Sequence, residues 1–282
     1  MIALACLIVL VIALAGGGTA THAGVAQGGQ AAYFRAIRTL GGTGKGSLTA
    51  AELATQNAAI DRTLSYTPYV RIAGSQHREV ALTFDDGPGP YTPEVLATLE
   101  REDAPGTFFE VGVAEHDFHA WTSEIAARGF PIGDHTVNHP AMPRLSRQDQ
   151  QAQVLQQATT IERYGAPYPR LFRPPYGQWN STTVSVLRGA RMLMVLWSVD
   201  TSDYQRPGVQ AIVSSAVSGA RPGAIILMHD AGGDRSETVV ALPKIITELR
   251  KRGYRLVTVP QLLVDNPPPA NQQITSVTGS GG

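Results

Sequence analysis

Val80-Ala81-Leu82-Thr83-Phe84-Asp85-Asp86-Gly87-Pro88 is an apolar run that stops on two adjacent carboxylates and a turn. A short unbroken apolar run closed by a turn signal reads as a strand buried on both faces. Downstream the same texture recurs. Further strands are expected at 107–111, 171–173, 192–199, 224–228 and 255–259. Amphipathic stretches at 92–102, 118–128, 147–164, 181–189, 208–218 and 236–252 lie between or beside them and read as helices. Strand-helix alternation of this kind means a parallel sheet covered by helices. The repeat count points to an α/β chain folded as an irregular barrel rather than an open sheet.

The chain has 282 residues, 43% of them hydrophobic and 16% charged, enough for one large domain with its own core. Lys plus Arg and Asp plus Glu are 23 each, so there is no basic footprint of a nucleic-acid binder. Residues 2–15 form an uninterrupted apolar run, shorter than the ~20 residues a helix needs to cross a bilayer. Small residues follow it. This reads as a signal peptide over 1–23, with an uncleaved N-terminal anchor as the minor alternative and a buried core helix as the bland one. No Lys or Arg precedes the run. The expected location is therefore secreted or cell-surface, with a membrane engaged only through that N-terminal segment. Cys6, the single cysteine, lies within the run, so the mature chain would carry no disulfide. Residues 24–76 read as a partly helical lead-in, with helices at 30–40 and 48–64 and Thr49 as a cap for the second. The alternating strand-helix region runs over 77–264 and reads as one domain. A disordered tail, opening on Pro267-Pro268-Pro269, is expected over 265–282.

Functional groups of a parallel barrel sit just after its strands. Asp85 and Asp86 stand there, and two adjacent carboxylates repel unless a cation holds one and leaves the other free as a base. An ordinary Asp-Gly-Pro turn is the plain alternative. In Asp134-His135-Thr136-Val137-Asn138-His139 the two histidines are four apart, so one helical turn would set them on a common face to share a metal with an Asp. Phe172-Arg173-Pro174-Pro175-Tyr176-Gly177 offers a guanidinium to pair with a carboxylate and a rigid loop that can aim the Tyr176 backbone N–H at an oxyanion. Trp197-Ser198-Val199-Asp200-Thr201-Ser202-Asp203-Tyr204 places acids at a strand end. Leu227-Met228-His229-Asp230 does the same with a histidine, which beside an Asp can stay protonated and act as a general acid. Each feature alone has a structural explanation. Their joint placement after successive strands does not arise easily by chance. A further His116-Asp117-His119 group reads as an exposed helix face.

In order and spacing, Thr83–Pro88, His135–His139, Arg173–Tyr176, Asp200–Tyr204 and Leu227–His229 resemble the five motifs of the NodB-homology polysaccharide deacetylases, carbohydrate esterase family 4. The likeness spans 77–264, the expected catalytic domain. It implies an α/β fold, a distorted (β/α) barrel of the polysaccharide deacetylase type with seven or eight strands, and a divalent metal held by Asp86, His135 and His139. Two nitrogens and one oxygen suit Zn²⁺ and tolerate Co²⁺, Ni²⁺ or Mn²⁺. The resemblance further implies Asp85 as general base oriented by Arg173, and His229 as general acid tuned by Asp200. Tyr176 would contribute its backbone to the oxyanion hole. Pro175, Tyr176, Trp197 and Leu227 would bind substrate, with Leu227 in the acetyl pocket. Two positions depart from the family pattern: Tyr204 stands where Trp is usual, and Phe130-Pro131 where a more polar pair is common.

The implied reaction is hydrolysis of N-acetyl groups on an N-acetylglucosamine-containing polysaccharide, peptidoglycan or chitin-like, with release of acetate. One rival uses the same machinery on an acetyl ester, as on acetylated xylan. Another is a noncatalytic glycan-binding protein, which a missing base or metal ligand would favour; none is missing here.

Overall fold

The computed structural model describes residues 49–272. Its elements in chain order are α1 (Ala50–Leu64), β1 (Tyr69–Val70), β2 (Glu79–Gly87), α2 (Thr92–Arg101), β3 (Thr107–Glu110), α3 (Gly112–Ala127), β4 (Ile132–Asp134), α4 (Arg147–Arg163), β5 (Leu171–Phe172), α5 (Ser181–Ala190), β6 (Leu193–Val195), β7 (Val199–Asp200), α6 (Val209–Gly219), β8 (Ala224–His229), α7 (Ser236–Lys251), β9 (Arg255–Val257) and α8 (Val259–Asp265). The strands form one sheet in the order β1-β6-β5-β4-β3-β2-β8-β7, every neighbouring pair parallel, with β9 against the start of β2. An antiparallel bridge from Ile72 to Ala224 draws the β1 side back toward β8 and curls the sheet. This is the expected distorted (β/α) barrel, eight strands on the path and a short ninth beside it.

The strand centred on Val80–Phe84 lies inside the sheet, sixth of the eight on the path, with nearly all its residues buried and three strands paired to it. Ala81, Phe109, Leu171, Val195 and Ile225 belong to one apolar cluster. Ala59 and Ile60 of α1, with Leu262 and Leu263 of α8, continue that cluster. Thr49 caps α1 in a reciprocal pair with Glu52, as its place before the apolar run suggested.

Several expected elements differ. The single strand expected at 192–199 is two, because Leu196–Ser198 carry the chain from pairing β5 to pairing β8. β1, β4 and β7 are two or three residues long, too short for periodicity to show. α3 begins at Gly112, before the expected start, and kinks at Phe118, where the backbone leaves helical angles. The lead-in is not separate from the barrel: α1 packs on α8 and β1 extends the sheet. Nor is the stretch after Val264 disordered as far as Gln272. Asn266 accepts from His77 N and donates to the buried Glu79, and the Gln272 side chain accepts from Arg71 N and Ile72 N. These side chains supply partners for backbone and carboxylate groups that would otherwise be left bare. The apolar run at 2–15, the helix at 30–40 and the remainder of the tail lie outside the described residues.

Candidate active site

β2 delivers Asp85 and Asp86 to the C-terminal edge of the sheet. Asp85 is in register with His229 at the end of β8, so strand pairing itself sets a carboxylate beside an imidazole. Arg173 follows β5 and is fully buried. Its Nη1 donates to Asp85 Oδ1 at 2.6 Å and to Thr83 Oγ1 at 2.9 Å, while Nε donates to Val195 O. The guanidinium lies 4.1 Å from the centre of the Phe109 ring, the cation stacked on the top of the apolar interior. Burial raises the Asp85 pKa, and the charges of Arg173 and His229 oppose that rise. Asp85 therefore couples a fixed orientation to enhanced basicity.

The two histidines converge by a route different from the one the spacing suggested. Residues 136–139 are not helical. Thr136 and His139 both have positive φ, 71° and 55°, and Thr136 N–H donates to Asp134 while His139 N–H donates to Thr136 Oγ1. This turn brings the two rings to 4.9 Å between centres. His135 Nδ1 lies 2.6 Å from Arg173 O, a donor's distance to a carbonyl, which turns Nε2 toward the carboxylates. Burial, aided by His139, lowers the His135 pKa to about 3, so the ring is neutral. His135 Nε2 stands 3.7 Å and His139 Nε2 3.3 Å from Asp86 Oδ1. Asp86, His135 and His139 can each point one ligand atom into a group within 4.8 Å, the only such His/Cys/Asp/Glu group among the described residues. Two imidazole nitrogens and a carboxylate oxygen, with one side open, are a fitting donor set for a divalent cation. Asp86 itself adopts φ 70°, a strained backbone for a residue with a side chain.

Across the site, the structure corrects one expected pairing. The partner of His229 is Asp203, not Asp200. Asp203 Oδ1 lies 2.7 Å from His229 Nδ1, and Asp203 Oδ2 accepts from His229 N and from Thr238 Oγ1. Asp200 instead accepts from Ser202 N–H in a local turn and lines the cavity. That turn, with Ser202 at φ 54°, swings Asp203 back under the imidazole. Burial alone would lower the His229 pKa; the Asp203 carboxylate outweighs it and raises it to about 9. Asp203 is lowered by the same contact. The clue in the sequence was that Asp200 precedes Thr201-Ser202, a pattern that occupies its own side chain in a turn.

A cavity of about 250 Å³ joins these groups. Its lining includes Asp85, Asp86, His135, His139, Tyr176, Trp197, Tyr204, Leu227 and His229, with Gly232 and Arg235, which the motif reading did not include. Pro174 lines it in place of the expected Pro175, which is buried beneath the turn. Tyr176 is at φ 59°, 39% exposed, its ring edge on His139 at 4.6 Å. Tyr204 meets the His229 ring edge-on at 5.3 Å. His116 and His119 are exposed on α3, the first paired with Asp117 and the second stacked on Tyr164. Chemically, the cavity offers a base clasped by a cation, a site for a Lewis acid, and a protonated imidazole facing them.

A family model described as polysaccharide deacetylase matches residues 73–195. The chain is 41% identical over 187 residues to a peptidoglycan-N-acetylglucosamine deacetylase of Bacillus cereus, covering 65% of this chain and 87% of that protein. It is 37% identical over 211 residues to a chitooligosaccharide deacetylase of Sinorhizobium fredii, covering 70% and 98%. A solved structure of a peptidoglycan N-acetylglucosamine deacetylase aligns with a TM-score of 0.68 at 31% identity, over 71% of this chain and 94% of that one.

Proposed function

Because the chain belongs to the polysaccharide deacetylase family, we propose that it hydrolyses the N-acetyl groups of N-acetylglucosamine units in a peptidoglycan or chitin-like polymer. The observation that carries this reading is one cluster: Asp85 clasped by buried Arg173, beside the Asp86-His135-His139 group and in register with His229. Relatives named for peptidoglycan and for chitooligosaccharide support the amino-sugar substrate.

Asp86, His135 and His139 would hold the metal, best suited to Zn²⁺. When bound, it supplies Lewis-acid polarisation of the acetyl carbonyl and of the attacking water. Asp85 removes a proton from that water, and Arg173 keeps the carboxylate aimed. The Tyr176 backbone N–H stabilises negative charge on the acetyl oxygen. Leu227 packs the methyl group at the cavity floor. His229, protonated through Asp203, gives its proton to the sugar nitrogen as the carbon–nitrogen bond breaks, and acetate and the free amine leave. Residues 2–15 would export the chain to the cell surface or beyond, where such a polymer lies. No helix among the described residues is long and apolar enough to cross a membrane.

The test is acetate release from N-acetylglucosamine oligomers, with and without chelator and after Zn²⁺ is restored, beside acetylated xylan. Release from the amino sugar that chelator stops and Zn²⁺ restores is expected. Release from xylan alone would replace the amide reading with the ester one.

A further inference from the structure

Asp230 follows the general acid and is fully buried, yet the reaction above does not use it. Its contacts run to the turn that carries the metal ligand Asp86 and to Thr92, the first residue of the helix after that turn. Asp230 N–H donates to Asp85 O at 3.2 Å. Its carboxyl lies flat against Gly87: a Cβ built there would stand 2.6 and 2.7 Å from the two oxygens. Thr92 Oγ1 donates to Asp230 Oδ2 at 2.5 Å and accepts from Gly89 N at 2.7 Å, a relay from the carboxyl to the far side of the same turn. The other oxygen, Oδ1, has no hydrogen-bond partner and also faces Gly87. Two residues on, Gly232 at φ 73° closes over Asp86, where a Cβ would meet Asp86 Oδ2 at 2.3 Å. Asp86 thus holds a strained left-handed backbone between a carboxyl beneath its neighbour and a glycine over its own side chain.

Resting on the metal site of the proposed function, we infer that Asp230 is a positioning residue of that site: through Gly87, Thr92 and Gly89 it holds Asp86 in the left-handed pose that aims it at His135 and His139. Strained backbone persists only where the surroundings over-determine it, and outer groups that orient metal ligands commonly change affinity 10–100-fold when removed. Removing the carboxyl lets the turn relax and withdraws one ligand of three.

The experiment is Zn²⁺ titration of the metal-stripped full chain, in competition with a chelator, with thermal melting of each variant. Asp230→Ala should bind Zn²⁺ about 10–100-fold more weakly, and Thr92→Val severalfold more weakly. Asp230→Asn keeps the volume and one oxygen to accept from Thr92, so it should recover most of the affinity. Asn266→Ala, a buried polar change in the C-terminal segment, should lower the melting temperature and leave Zn²⁺ affinity unchanged. Wild-type affinity in both Asp230→Ala and Thr92→Val would overturn the inference even if both melt early. Should Asp230→Ala fail to fold, Thr92→Val alone decides by the same criterion. A wild-type chain that binds no Zn²⁺ would overturn the metal centre itself and this inference with it.

Discussion

Asp85 and His229 are neighbours across a strand pair, and each has a partner that sets its proton: Arg173 for the first, Asp203 for the second. Asp85→Asn keeps the shape and removes the base, so kcat/KM should fall about 10²–10⁴-fold while Zn²⁺ stays bound. Steady-state acetate release and metal content on the same sample check this. Asp203→Asn removes the charge that raises His229 to about 9. A general acid must be protonated to act, so the alkaline limb of the kcat/KM profile should move down from near pH 9 toward the ordinary histidine value of about 6.5. The same pair sets a stability window. His229 is raised on folding, so its contribution is full below about pH 6.5 and is lost as pH climbs through about 9. Asp203 is lowered, so its contribution is present above about pH 3.9 and is lost as pH falls through its lowered pKa. Equilibrium unfolding of wild type and Asp203→Asn across pH should show the difference confined between those limits.

At the scale of elements, both ends of the described stretch, 49–272, are part of the barrel. α1 and α8 cover the apolar cluster, and the segment after α8 runs back along residues 66–77. Asn266 is fully buried and serves three groups: His77 N, Gly74 N and the Glu79 carboxylate. Asn266→Ala leaves His77 N and Glu79 without that partner, at a cost of about 1–3 kcal/mol. Urea unfolding measures it, and a change within about 0.5 kcal/mol, typical of a surface site, would show that the segment is not a structural clasp. Length governed which elements could be read beforehand. β2 and β8 are long and apolar enough to stand out, whereas β4 is three residues, Ile132-Gly133-Asp134, with a glycine at its centre that packs against the Phe109 ring. The division at Leu196–Ser198 is invisible in an apolar run, because the change is in the partner strand and not in the residues.

Among the described residues an apolar cluster fills the interior of the curled parallel sheet, and the groups of the candidate site follow the C-terminal ends of its strands, which lets buried Arg173 stand on Phe109 while reaching Asp85. A ligand bound only by the folded state stabilises it by mass action. Free Zn²⁺ at 100 times its dissociation constant should therefore add about 2.7 kcal/mol, read as a raised melting temperature that chelator reverses. The barrel class, the buried strand that ends on Asp85 and Asp86, and most of the motif side chains that line the cavity were legible in the chain alone. They depend on residue chemistry and on local patterns, apolar runs closed by carboxylates, histidines and turn residues. What the tertiary structure alone decided was which of these groups meet. Asp203 rather than Asp200 faces His229 because a turn of three residues swings it back. His135 and His139 converge through a left-handed turn rather than a helix. Asp230 finds Gly87 from a different strand. Such encounters depend on the register between strands and on a few strained dihedrals, and neither leaves a period in the sequence.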